Sequence, residues 1–173
     1  MALLATVAVD SVVRGASDAD ELGDQAKSIA RAIPIPGETV NRCPADQGRL
    51  VTRRWRMSEI SRAHQARVTG FAPYTEWLFE KIEFDGFRSI ECRLQEAKAR
   101  YDQFFDPKTG YPKAFFEARG VSRMLTQARK QSAVVRNSPP AKLTWYFMQP
   151  ISHAFFSRQF ASETLPIESL LHA

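Results

Sequence analysis

The chain has 173 residues, 44% of them hydrophobic, which is enough to bury a core and excludes a disordered or fibrous polypeptide. No run reaches the roughly 18 apolar residues of a membrane-spanning helix, and two cysteines with three histidines give no zinc-ligand spacing. The net charge of +5 hides an asymmetry, since residues 1–41 carry three basic and six acidic side chains and leave +8 on the remainder. A basic body suits a polyanion partner through phosphate neutralisation, and is also common in proteins that never meet one.

Residues 1–32 read as helical, with Ser17-Asp18-Ala19-Asp20-Glu21 offering a cap and an acidic first turn for the second piece. Met1 to Val13 is apolar but short, is interrupted by Asp10, and lacks the basic region and cleavage site of a secretory signal. It reads as an interaction helix or as the start of a fragment of a longer polypeptide. Pro34, Pro36, Gly37, Pro44 and Gly48 then crowd into a linker or irregular loop. The boundary expected there divides a helical extension, residues 1–41, from a domain of residues 42–173. Arg49, Arg53, Arg54 and Arg56 surround Trp55. Either they track a phosphate backbone or they form a solvated surface with Trp55 packed inward.

Ser58 to Val68 reads as a helix, with Ser58 as N-cap and Gly70 as stop. Trp77 to Asp85 is aromatic and β-branched enough for one strand or two short ones. Gly86 breaks it, and a turn near Arg88-Ser89 returns the chain antiparallel into Ile90–Lys98. Residues 107–112 form a loop, and Ala114 to Val135 a long helix bent near Gly120. That helix presents Arg119, Arg123, Arg129, Lys130 and Arg136 as a basic surface. Ser138-Pro139-Pro140 ends the segment. Lys142–Met148 follows as a strand, Ile151–Ser162 as a helix and Leu165–Leu171 as a last edge strand. Central strands with flanking helices predict a three-layer α/β core whose functional site lies at the open end of the sheet.

The chemistry concentrates in Phe84-Asp85-Gly86-Phe87 and in Glu96-Ala97-Lys98. Side chains alternate along a strand, so Cys92, Leu94, Glu96 and Lys98 are expected on one face. A charged pair at the end of an apolar face is unusual, because burying either charge alone is costly. If the register brings Asp85 beside Glu96, two carboxylates converge for Mg²⁺ or Mn²⁺, with the backbone carbonyl of Ala97 as a third ligand. Such an ion would polarise a phosphate and acidify a bound water. Lys98 would take the proton of that water if its pKa were depressed, or stabilise transition-state charge if it stayed ionised. The competing explanation is a solvated strand face that carries these residues by chance. Cys92 is expected to be a small buried hydrophobe on the strand, and His153 a structural residue.

The run from Phe84 to Asp106 resembles the restriction-endonuclease-fold toxin domains of bacterial polymorphic toxins and type VI secretion effectors, within the PD-(D/E)xK nuclease superfamily. The pieces that carry the resemblance are Phe84–Phe87, Leu94–Lys98, Tyr101-Asp102 and Phe104–Asp106. Val68-Thr69-Gly70, Thr75-Glu76-Trp77, Gln127–Gln131 and Trp145-Tyr146-Phe147 flank them, so the likeness spans about residues 43–172. It implies a restriction-endonuclease-like core, a central mixed β-sheet between helices, and metal-dependent hydrolysis of nucleic acid, DNA before RNA.

The same resemblance implies Glu59 as an acid on the first helix, and Gln127 and Gln131 as supports for the metal or water network. Ordinary exposed glutamines are the alternative to that last role. Arg53, Arg54, Arg56, Arg123, Arg129 and Lys130 become candidate nucleic-acid contacts. It further implies delivery by a secretion machine into the cytoplasm of a rival cell, and a cognate immunity protein in the producer. Against these expectations stand a non-catalytic nucleic-acid-binding domain and an adaptor of the secretion machine.

Overall fold

The computed structural model describes residues 42–173. The helical extension expected for residues 1–41, and the domain boundary drawn at its end, lie outside the described residues. The fold is built on two small sheets. Strands β1 (Arg49–Thr52), β2 (Thr75–Phe79) and β3 (Ile82–Phe84) form an antiparallel sheet in that order. Strands β4 (Gly86–Arg88), β5 (Arg93–Lys98), β6 (Lys142–Phe147) and β7 (Ile167–Leu171) form a mixed sheet, with β4–β5 antiparallel and β5–β6–β7 parallel. Asp85 is the single residue between β3 and β4, so it stands where one sheet hands the chain to the other.

Parallel neighbours need crossover connections, and helices supply them. Helix α1 (Glu59–Thr69) covers one face of β5, where Gln95 Nε2 donates to the Val68 carbonyl at 3.2 Å. A helical run of α2 (Ala114–Phe116), a π-turn (Glu117–Val121) and α3 (Ser122–Arg136) covers the other face. Helix α4 (Pro150–Ser162) lies on the same side as α3, stacking Phe156 on Phe147 and setting Phe160 edge-on to Trp145. The result is the expected mixed sheet between helices. The core is aromatic, with Phe84, Phe105, Trp145, Phe147 and Phe156 all 1% exposed or less.

Local signals explain most boundaries. Ser58 accepts from the Ser61 amide to start α1, and Gly70 ends it in the left-handed region at φ 75°. Within the π-turn, position 120 takes a glycine because a Cβ there would stand 2.1 Å from the Phe116 ring. Asp102, part of the family-like run, accepts from the Ile151 and Ser152 amides at 3.0 and 2.7 Å and so caps α4. His153 meets the Ser169 carbonyl at 3.2 Å, a structural link between α4 and β7. The final edge strand forms, starting at Ile167.

Three expectations are corrected. Cys92 is not a free residue on the core strand: it follows a 3₁₀ turn (Ser89–Glu91) with φ 47° and is disulfide-bonded to Cys43. Only Leu94, Glu96 and Lys98 therefore share the predicted face. Pro44–Gln47 is a 3₁₀ helix rather than irregular linker, and Arg49–Thr52 is a strand, paired by long-range register that four residues cannot advertise. Trp55 does not pack inward; it is 54% exposed.

Candidate active site

Register assembles the site. Trp77 pairs with Phe84 between β2 and β3, so one further step sets Glu76 opposite Asp85. Gly86 pairs with Gln95 between β4 and β5, so one step back sets Asp85 opposite Glu96. Glu76 and Glu96 thus lie on the strands that flank Asp85, close enough for both charges to act on it. Gly86 is required beside it, because a Cβ there would meet Thr69 Cβ at 2.5 Å and Gln95 Oε1 at 2.9 Å. The Ala97 amide donates to Asp85 Oδ2 at 2.7 Å, so residue 97 meets Asp85 through its N–H. The carbonyl put forward as a ligand is not part of that contact.

Glu96 is held from both sides. Lys98 Nζ donates to its Oε1 at 2.6 Å, and Gln131 Nε2 to its Oε2 at 2.7 Å. Gln127 Oε1 accepts from Lys98 Nζ at 3.0 Å, and Trp145 Nε1 donates to Gln131 Oε1 at 2.9 Å. The ammonium also sits 4.7 Å from the centroid of the Trp145 ring. The two glutamines are one helical turn apart on α3 and reach the same face of β5. Gln131 is fully buried and Gln127 is half-buried with its Oε1 on Lys98, so neither is an ordinary exposed glutamine.

The electrostatics follow from crowding carboxylates beneath helices. Burial raises the Asp85 pKa well above 3.8; Glu96 and Glu76 push it further, against Lys98 and the Ala97 amide. Glu76 is raised to about 7, mainly by burial, with the charges of Glu83 and Glu96 adding. The N–H of Trp55 and the charge of Arg53 oppose that rise. For Lys98, burial pulls the pKa down, but Glu96, Tyr101 and Asp85 outweigh it and the value ends above 10.5. Its carboxylate neighbours therefore favour the charged form of the lysine.

Asp85, Glu96, Lys98, Gln127 and Gln131 come together. Glu59 does not join them; it is exposed in the first turn of α1 and makes none of the described hydrogen bonds or ion pairs. The sequence reading passed over Glu76, having treated it only as a flanking piece, although an acid between a β-branched and an aromatic strand residue was a usable signal. Among the candidate phosphate contacts, Arg53 is tied to Glu83 at 2.6 Å, and Arg129 to both oxygens of Glu163 at 2.7 Å. Arg54, Arg56, Arg123 and Lys130 are exposed.

Among the described residues, no three His, Cys, Asp or Glu side chains stand ready around one metal position, and no helix is long and apolar enough to cross a membrane. The donor set nevertheless suits a hard divalent cation: carboxylate oxygens close enough to raise the proton affinity of Asp85 and Glu76, with a single ammonium among them.

Comparison with known proteins bears on the family of the chain. The profile of the family described as Restriction endonuclease fold toxin 5 matches residues 61–150, a stretch that includes Glu76, Asp85, Glu96, Lys98, Gln127 and Gln131. No curated protein matches the chain. With more than half of its length matched, the chain belongs to the restriction-endonuclease-fold toxin family.

Proposed function

We propose that this toxin-family domain is an antibacterial endonuclease that hydrolyses phosphodiester bonds of DNA with a metal-activated water. The observation that supports this reading most is Glu96 bridged between Lys98 and Gln131, with Asp85 bonded to the next residue of the strand through the Ala97 amide. Asp85 and Glu96, with the Ala97 carbonyl, would hold Mg²⁺ or Mn²⁺, and Glu76 rather than Glu59 is the third carboxylate at hand. A bound ion of this kind supplies Lewis-acid polarisation of the phosphate and a lowered pKa for a coordinated water.

The chain's own residues do the rest. Gln131 fixes the Glu96 carboxylate, and Gln127 fixes the ammonium of Lys98. A lysine kept charged offsets the extra negative charge of the transition state. General-base action would need a lysine shifted toward neutrality, which the charge of an ion held by Asp85 and Glu96 would favour. Arg54, Arg56, Arg123 and Lys130 are free to meet phosphates, whereas Arg53 and Arg129 would first have to leave their carboxylates.

In this reading a type VI secretion machine delivers the domain, residues 42–173, into the cytoplasm of a target cell, with residues 1–41 as an extension ahead of it. The producing cell is protected by an immunity protein whose acidic surface complements the basic body.

A plasmid-nicking assay with the full chain tests the reading, with Mg²⁺ or Mn²⁺ against EDTA and a structured RNA in parallel. Metal-dependent nicking of DNA, lost in Asp85→Ala and Lys98→Ala, is the expected result. Gel-shift binding without cleavage would replace the enzyme by a binding domain. Neither binding nor cleavage would point to an adaptor.

A further inference from the structure

We propose that the exposed indole of Trp55 is a stacking platform for an unpaired base beside the scissile phosphate, so that single-stranded or locally opened nucleic acid is the form of substrate bound best. The inference rests on the nuclease reading and deepens it by naming the state of the strand that enters the site.

Three tryptophans are present, and their environments differ. Trp145 is fully buried, and Trp77 stacks on Phe87 with centroids 4.9 Å apart. Trp55 is 54% exposed, yet its ring is pinned: Nε1 donates to Glu76 Oε1 at 2.7 Å. One edge of the indole is thus fixed to Glu76 while much of the ring faces water. Glu76 and Asp85 are the chain neighbours of the paired residues Trp77 and Phe84, so a base resting on this ring lies near the proposed cleavage centre.

The surroundings suit a polyanion with exposed bases. Arg54 and Arg56, on either side of Trp55, are exposed and enter none of the described ion pairs. A second exposed aromatic, Tyr74, is drawn to the same edge because the Arg53 amide donates to its carbonyl at 2.8 Å. The Arg62 guanidinium lies 5.4 Å from the centroid of the Tyr74 ring. Aromatic faces interleaved with arginines form the groove type that binds single strands, where each base offers a flat π-surface and each phosphate a charge. In an intact duplex those π-surfaces are stacked on one another and cannot reach the indole. The arginines alone would serve duplex and single strand alike, so the pinned ring is what discriminates.

The test is fluorescence anisotropy with the full chain in EDTA, using a labelled oligothymidylate and a duplex of equal length as probes. Wild type is expected to prefer the oligothymidylate. Trp55→Ala should weaken that probe about fivefold or more and leave the duplex nearly unchanged. Trp55→Phe, which keeps a stacking face and loses the N–H, should restore most of the single-strand affinity. Arg54→Ala should weaken both probes by a similar factor.

Equal loss on both probes in Trp55→Ala, or no loss, overturns the proposal. Binding of neither probe by wild type also overturns it and gives the exposed ring to a protein partner. Metal-dependent nicking without Trp55-dependent discrimination would leave the nuclease standing and sink the platform. Discrimination without nicking would do the reverse.

Discussion

Replacing Lys98 with methionine separates a paired buried charge from an incidental one. Nζ lies 2.6 Å from Glu96 Oε1, with both side chains under 10% exposed. At an effective dielectric constant of about 20, that separation corresponds to ~6 kcal/mol of gross attraction. Desolvating the two ions takes much of this back in the wild type. Methionine keeps the length of the side chain, so cavity formation is a small part of the effect. What remains is a buried Glu96 carboxylate with the Gln131 amide and no counter-charge, a situation that costs about 3–5 kcal/mol. Urea denaturation in EDTA should show this loss at pH 8, and a smaller one at pH 5, where a proton can take the place of the ammonium. Nicking should fall at least about 100-fold, with no recovery as pH is raised. Stability within about 1 kcal/mol of wild type at pH 8 would refute the paired buried charge, that margin being the scale of an exposed ion pair. A wild-type rate that climbs with pH through a group absent from Lys98→Met would reinstate the lysine as a base.

Reducing the Cys43–Cys92 bond frees a loop whose ends are 49 residues apart. Chain entropy sets the expected loss at about 4 kcal/mol, read as a lower urea midpoint with dithiothreitol or in Cys43→Ala; an unchanged midpoint would mean that the bond contributes nothing to stability. For Glu76, the folded state holds the proton more tightly than the unfolded chain. Stability in EDTA should therefore fall as pH rises from 4.5 to about 7. Glu76→Gln should reduce that slope, while Asp85, raised for related reasons, keeps a remainder of the same sign. An identical slope in the variant would show that Glu76 is not the titrating group.

What the sequence revealed divides along physical lines. The capped helix Glu59–Thr69 was legible from Ser58 and Gly70, because a cap is a property of adjacent residues. The aromatic strand at Lys142–Phe147 was legible from composition, and the antiparallel return of the chain after Gly86 from its turn signal. The strand Arg49–Thr52 was not, because its identity depends on Thr75–Phe79 lying beside it. Cys92 was misread for the same reason: its partner is brought near only by folding.

The amino-acid order alone settled that Glu96 and Lys98 could share one strand face, since alternation is fixed by the backbone. Tertiary structure decided which other groups reach that face. It added Glu76 from a neighbouring sheet, left Glu59 in solvent, delivered Gln127 and Gln131 from α3, and set carboxylates around Lys98 that favour its charged form. Each of these depends on distances between segments remote in sequence, and electrostatic energies are set by such distances and by burial rather than by residue type.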